Sequence, residues 1–224
     1  MKTIYNELVR PAQDIVDGFR ALLPEYSPSC IVTDAQARVG AIDGLHVVRP
    51  EQKIAGPAFT ISLSIDDWVN TLPILSRAQP GDVIVMACHG LATTAMWGGL
   101  TATVSHKFGL AGALVDGAIR DVDEIRDIGF PVWYRTRSPR QSPGAVHDRI
   151  EPVQVNVPVS FGGQVVFPGD IMVADENGVA TVPIADVAEV LDNARKVARR
   201  ENEIRDRISA GATAAVLRAE FGNL

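Results

Sequence analysis

Two cysteines, Cys30 and Cys88, are all that the 224 residues carry, and they lie far apart in the chain. They build neither a disulfide framework nor a Cys-x-x-Cys metal knuckle, so a reducing, cytoplasmic setting is expected. Positive charge is also scarce, with 21 Lys and Arg against 27 Asp and Glu for a net charge of −6, and no dense basic run occurs. That balance excludes the simple nucleic-acid and anionic-membrane surfaces. No apolar stretch approaches the roughly 18 residues that span a bilayer, and Met1–Glu7 lacks the basic-then-apolar pattern of a signal peptide. The sequence also lacks a phosphate loop, a GxGxxG fingerprint, an HExxH zinc pair and a GxSxG nucleophile elbow. Kinase-like, dinucleotide-dependent, zincin and serine-hydrolase readings have nothing to rest on.

What is present is an alternation of apolar runs and helical patterns. The runs at Pro57–Leu63, Asp82–Cys88, Ala111–Asp116 and Pro131–Tyr134 read as strands, the second apolar enough to be buried on both faces. Helical spacing at 69–78, Trp97–Phe108 and Val122–Ile128 falls between them, which predicts a mainly parallel central sheet in one domain over residues 1–224. An amphipathic helix is expected over about 5–23, bent by Pro11. Near the C-terminus, Ile171–Ala174 and Val179–Val182 flank Asn177-Gly178, a hairpin signal, and a long charged helix follows over about 184–208, with a shorter one after Gly211. Pro80-Gly81-Asp82 recurs in form as Pro168-Gly169-Asp170, which a strand-launching turn explains without a true repeat.

Two constellations could carry chemistry. Trp97-Gly98-Gly99-Leu100-Thr101 opens a helix shortly after the buried strand, where glycines admit a ligand to the backbone and free N–H groups favour an anion. The bland reading is a tight turn. Asp116-Gly117-Ala118-Ile119-Arg120-Asp121 ends the next strand, the edge at which ligands gather in open α/β sheets. Arg120 offers a planar fork for a carboxylate, and Asp121 offers hard oxygens for Mg²⁺ or Mn²⁺. Asp121 with Glu124 is equally an Asp-x-x-Glu box capping the next helix. The histidines His46, His89, His106 and His147 are scattered, and Cys88 beside His89 should point to opposite faces of a strand, which rejects a Cys-His nucleophile pair.

In order and spacing, Pro80-Gly81-Asp82, Trp97-Gly98-Gly99-Leu100, Asp116-Gly117-x-x-Arg120-Asp121 and Gly169-Asp170 resemble the family that joins 4-hydroxy-4-methyl-2-oxoglutarate aldolases to the regulator of ribonuclease E activity A. The resemblance runs from about Thr33 to Gly211. It implies an α/β/β/α sandwich assembled into trimers or hexamers with sites between subunits. In the aldolase branch it implies a metal-dependent lyase that cleaves 4-hydroxy-2-oxo acids to pyruvate and decarboxylates oxaloacetate. By position, Gly98, Gly99, Leu100 and Thr101 would hold the substrate carboxylate, Arg120 would bind substrate and Asp121 would hold the metal. The chain departs from the pattern at Gly99, where many aldolases are acidic, and at Thr101, where Leu is common.

The resemblance also implies a glutamate from the terminal helix of an adjoining protomer near the metal. Glu201 falls on the apolar stripe formed by Val187, Leu191, Ala194 and Ile204, whereas Glu203 lies about 200° away at roughly 100° per residue. Glu201 is therefore the candidate and Glu203 the alternative, while a surface pair of Glu201 with Arg205 needs no site at all. The rival function is a non-catalytic regulator that docks on an RNA-processing enzyme such as ribonuclease E. Methyl transfer to a quinone precursor is disfavoured, because no glycine-rich motif for an adenosyl cofactor follows the first strand.

Overall fold

The computed structural model describes residues 1–63, 69–141 and 150–222, so His147 lies outside the described residues. The chain opens with β1 (Ile4–Tyr5), α1 (Gln13–Arg20), α2 (Pro28–Ala35), β2 (Ala41–Ile42), β3 (His46–Val47) and β4 (Ile54–Ser62). Its middle runs α3 (Leu72–Leu75), β5 (Val83–Trp97), α4 (Gly99–Lys107), β6 (Gly112–Ile119), α5 (Val122–Ile128) and β7 (Val132–Arg137). There follow β8 (Gln154–Val155), β9 (Val159–Phe161), β10 (Gln164–Val166), β11 (Ile171–Asp175), β12 (Gly178–Val182), α6 (Val187–Ser209) and α7 (Ala214–Phe221).

Strands β4, β5, β6 and β7 are parallel neighbours, and β11, β12 and β2 continue antiparallel from the first half of β4. Alternation along each strand then sorts the side chains into layers. On β5, Ile84 and Met86 face α3, α4 and α5 together with Ala102 and Ile125, whereas Val83, Val85 and Ala87 face Met172, Ala174 and Val179 of the hairpin. The outer face of that hairpin, Ile171, Val173, Ala180 and Val182, packs on α1, α2 and α6. The result is the expected α/β/β/α sandwich, with a mainly parallel sheet, a C-terminal hairpin and a long C-terminal helix. Among the described residues no helix is long and apolar enough to cross a membrane.

Several boundaries differ from expectation for physical reasons. The first helix covers only Gln13–Arg20, because Ile4 and Tyr5 pair with Gln154 and Val155 as a strand and Pro11 precedes the helical turns. The segment between them is pinned by Arg10, whose Nε and Nη2 reach Asp82 Oδ1 and Oδ2 at 2.8 and 2.7 Å. Of the helix expected over 69–78, only Leu72–Leu75 forms. Helix α2, absent from the sequence reading, starts with Pro28 in its first turn after Ser27.

The Pro-Gly-Asp echo is a shared turn. Gly81 and Gly169 sit at φ +88° and +89°, and in each case the aspartate accepts an N–H from three residues upstream, Gln79 to Asp82 at 2.8 Å and Phe167 to Asp170 at 2.9 Å. Burial pushes the Asp170 carboxyl above its ordinary value, opposed by the bonds from the Phe167 and Ile184 N–H groups.

Candidate active site

The carboxyl end of β6 and the amino end of α4 meet in the helical layer beside the parallel sheet. Gly98 is the N-cap of α4 in extended backbone, and a Cβ there would sit 2.8 Å from Asp121 Oδ2 and 3.2 Å from Arg120 Cγ. At Gly99 a Cβ would overlap the Glu124 carboxylate outright. These glycines are bare because two acidic side chains close over the first turn of α4. The tight-turn reading is correct as far as it goes, but what the turn admits is carboxylate oxygen.

Asp121 does occupy the N-cap position of α5, yet its side chain makes no capping bond, which corrects the capping-box expectation. Its Oδ2 instead accepts from Gly99 N at 3.2 Å and from Arg120 Nε at 3.1 Å. The cause is local: the Asp121 backbone is left-handed, φ +55°, which turns the carboxylate away from α5 toward α4. Aspartate tolerates that conformation better than most residues. Asp121 Oδ1 makes no hydrogen bond among the described residues. Arg120 Nη1 donates to Gln141 Oε1 at 3.4 Å, so the guanidinium is held in a fixed plane between Asp121 and Gln141.

These groups line a cavity of about 460 Å³, bounded also by Asn70, Leu72, Met96, Leu100, Thr101 and Val104. The structure brings Gly98, Leu100, Thr101, Arg120 and Asp121 to the lining of this cavity, while Gly99 lies under Glu124. Glu124 is the residue that sequence reasoning assigned only to capping. Its signal was present in Gly99, since a missing side chain at a position where an acidic one is common leaves room for an acidic group from elsewhere. Two carboxylates with hard oxygens suit Mg²⁺ or Mn²⁺, which take one or two protein carboxylates and keep water in the remaining positions. No cluster of three or more His, Cys, Asp or Glu able to hold a metal occurs among the described residues.

Glu201 is elsewhere. It lies on α6, in the opposite helical layer from α4 and α5, and its Oε2 accepts from Arg205 Nη2 at 2.5 Å. There it lines a second cavity with Asp34, Arg38 and Ile204, while Glu203 is exposed. A single chain does not bring either glutamate to Asp121. Cys88 is buried, which pushes its thiol far above the ordinary value, and His89 is exposed at φ +53°, so the pair diverges as expected.

Comparison with known proteins adds the following. The family model described as RraA-like, Aldolase/RraA, matches residues 14–181. An uncharacterised protein of Methanocaldococcus jannaschii is 30% identical over 213 residues, covering 94% of this chain and 95% of its own. The 4-hydroxy-4-methyl-2-oxoglutarate aldolase of Thermus thermophilus is 30% identical over 131 residues, 58% of this chain and 76% of that protein. The crystal structure of Streptomyces coelicolor RraAS2, described as an unusual member of the RNase ES inhibitor RraA protein family, matches with a TM-score of 0.74 at 28% identity. That match covers 88% of this chain and 98% of the other.

Proposed function

The chain belongs to the Aldolase/RraA family, and on that premise we propose that it is a divalent-metal-dependent lyase. Its reaction is cleavage of a 4-hydroxy-2-oxo acid, such as 4-hydroxy-4-methyl-2-oxoglutarate, to pyruvate, with decarboxylation of oxaloacetate as a side reaction. The observation that carries this reading is the convergence of Asp121, Glu124 and Arg120 on the amino end of α4 beside a cavity.

Asp121 would hold Mg²⁺ or Mn²⁺ with Glu124 beside it, and the metal would supply Lewis-acid polarisation of the 2-oxo group. The segment Gly98 to Thr101, at the positive end of α4, would receive the substrate carboxylate through N–H groups other than that of Gly99, which is given to Asp121 Oδ2. Arg120 faces the 2-oxo oxygen and offsets the negative charge that grows there as the C3–C4 bond breaks. The electron pair of that bond passes to C3 and the carbonyl, and the 4-hydroxyl loses its proton as the second product forms. C3 is then reprotonated to give pyruvate. Among the described residues no histidine or lysine lines the cavity, so proton transfer is assigned to water and a Schiff-base route is set aside.

The competing reading is a regulator that docks on an RNA-processing enzyme, for which the Streptomyces relative speaks. Fold does not decide between them. What favours the lyase is that Asp121 makes no capping bond to its own helix α5 and is turned, with Glu124, onto the start of α4 beside the cavity. Arg120→Lys supplies one test. Arg120 is held through Nε and Nη1 at once, a geometry an ammonium cannot reproduce, so kcat/KM for pyruvate release should fall about 100-fold although the charge is kept. Near-parental kinetics in that variant would reduce Arg120 to a patch of charge.

Glu201 enters only through oligomerisation. We propose that the protein forms trimers or hexamers in which α6 of one subunit carries Glu201, or Glu203 in its place, to the metal of the next. Mixing inactive Asp121→Ala subunits with inactive Glu201→Ala subunits should then restore part of the activity after reassembly. Full activity of Glu201→Ala by itself would remove this glutamate from the mechanism.

A further inference from the structure

Asp116 opens the strand-end motif that also carries Arg120 and Asp121, yet it does not line their cavity. On β6, Val115 faces the helical layer of α4 and α5 while Leu114 faces the hairpin together with Trp133, and alternation turns Asp116 to the Leu114 side. Leu114 pairs with Trp133 and Val115 with Tyr134, which brings Arg135 of β7 beside Asp116. Arg135 Nε donates to Asp116 Oδ1. The aspartate side chain is only 8% exposed, whereas the arginine keeps 32%.

This pair stands where the sheet is open. Pairing between β5 and β6 lapses after Met86–Val115 and resumes at Leu91–Gly117, a bulge in which His89 and Gly90 take φ of +53° and +73°. Beside it lies a cavity of about 570 Å³, lined by Asp116, Arg135, His89, Ser160 and the glycines of the β9–β10 turn. The rest of the Arg135 fork is unspent. Nη1 and Nη2 make no hydrogen bond among the described residues. A Cβ at Gly44 would lie 3.1 Å from Nη1 and one at Gly162 would lie 3.6 Å from Nη2, so both turns leave these nitrogens uncovered where a side chain would have stood. An arginine fixed through Nε to a buried carboxylate, with both Nη groups unbonded beside a cavity, is a planar two-point receptor for an oxyanion. Charge selects among oxyanions. Asp116 already neutralises Arg135, the one lysine or arginine on this lining, so a dianion would meet the Asp116 carboxylate with no further fixed cation, whereas a carboxylate brings a single charge. No large apolar side chain lines the cavity, which suits a small hydrophilic ligand.

We propose that Arg135, set by Asp116 at the bulge of β5, forms a second anion site that binds a small hydrophilic carboxylate monoanion through Nη1 and Nη2. The site lies on the other side of the parallel sheet from Arg120 and does not depend on the lyase reading.

The test uses the intact protein and reads both arginines at once. Phenylglyoxal condenses with the Nη groups of arginine, so its attack on Arg135, located by mass spectrometry after digestion, shows whether the fork is open and whether a ligand covers it. Acetate should slow modification of Arg135 about 10-fold, and sulfate at equal ionic strength by less than about 2-fold. An unreactive Arg135, no protection by acetate, or protection by sulfate that equals or exceeds it would overturn the assignment. Saturation-transfer NMR then locates the bound acetate. Its methyl signal should persist in Arg120→Ala and fall about 10-fold in Arg135→Lys, which keeps a cation beside Asp116 but has no fork. A signal that survives in Arg135→Lys, or is lost in Arg120→Ala, would overturn the site. If Arg135→Lys does not fold, the protection pattern of the parent protein decides alone.

Discussion

Asp121→Asn should leave a folded protein that releases pyruvate at about one hundredth of the parental rate or less, a loss of about 2.7 kcal/mol or more in transition-state stabilisation. The substitution is nearly isosteric and exchanges one carboxylate oxygen for an amide nitrogen. Asparagine adopts the left-handed backbone at φ +55° as readily as aspartate does, so the turn into α5 survives. The amide oxygen can still accept from Gly99 N, which now does so at 3.2 Å. What disappears is the negative charge that a hard cation needs. Denaturant unfolding should therefore move by no more than about 1 kcal/mol, because the parental side chain contributes no capping bond to α5. Turnover and metal affinity should collapse together. A stably folded Asp121→Asn protein with parental kinetics would contradict the role given to this residue.

The largest stability effect belongs to a residue remote from the site. Arg10→Ala removes the bidentate partner of Asp82, whose side chain is only 2% exposed, leaving a buried carboxylate with the Gln79 N–H at 2.8 Å as its remaining donor. Breaking a buried pair from one side costs about 3–5 kcal/mol, since the stranded charge is the expensive part. The Arg10 guanidinium is held above its ordinary value chiefly by its hydrogen bond with Asp82. Unfolding in urea should show the full loss for Arg10→Ala. The double variant Arg10→Met with Asp82→Asn should recover much of it by removing both charges. A loss below about 1 kcal/mol in the single variant would mean that water already reaches Asp82.

The mainly parallel sheet and the C-terminal hairpin could be read from the sequence because the strands are apolar runs and the hairpin carries Asn177-Gly178, two local signals that tertiary packing did not override, whereas their stacking into a sandwich came from the family resemblance. The helix Val122–Ile128 was legible to the residue, bounded by Asp121 and Gly129. Less legible was the N-terminal stretch, in which apolar spacing at Leu8 and Ile15 imitates one helix. Its first part is instead fixed by distant partners, Val153 and Val155 through the backbone and Asp82 through Arg10. Strand β5 was read only as far as Cys88, because positive φ at His89 and Gly90 breaks the alternation before pairing resumes toward Trp97. At the candidate site, Gly98, Arg120 and Asp121 were singled out by type and spacing, and the structure brings them together at the start of α4. The role of Glu124 was hidden, since the motif that names it as a cap is the same motif that lets it reach Gly99. Glu201 rests on pairing between chains, which one chain's periodicity carries no record of.

The most direct test is pyruvate release by the purified protein from a panel of 4-hydroxy-2-oxo acids and oxaloacetate, coupled to lactate dehydrogenase. The panel is run with Mg²⁺, then with excess chelator, then with Mg²⁺ restored. The lyase account predicts turnover with metal, its loss on chelation and its return on restoration, with Asp121→Asn silent throughout. No pyruvate from any member of the panel in the presence of Mg²⁺ or Mn²⁺, or turnover indifferent to chelator, would contradict it.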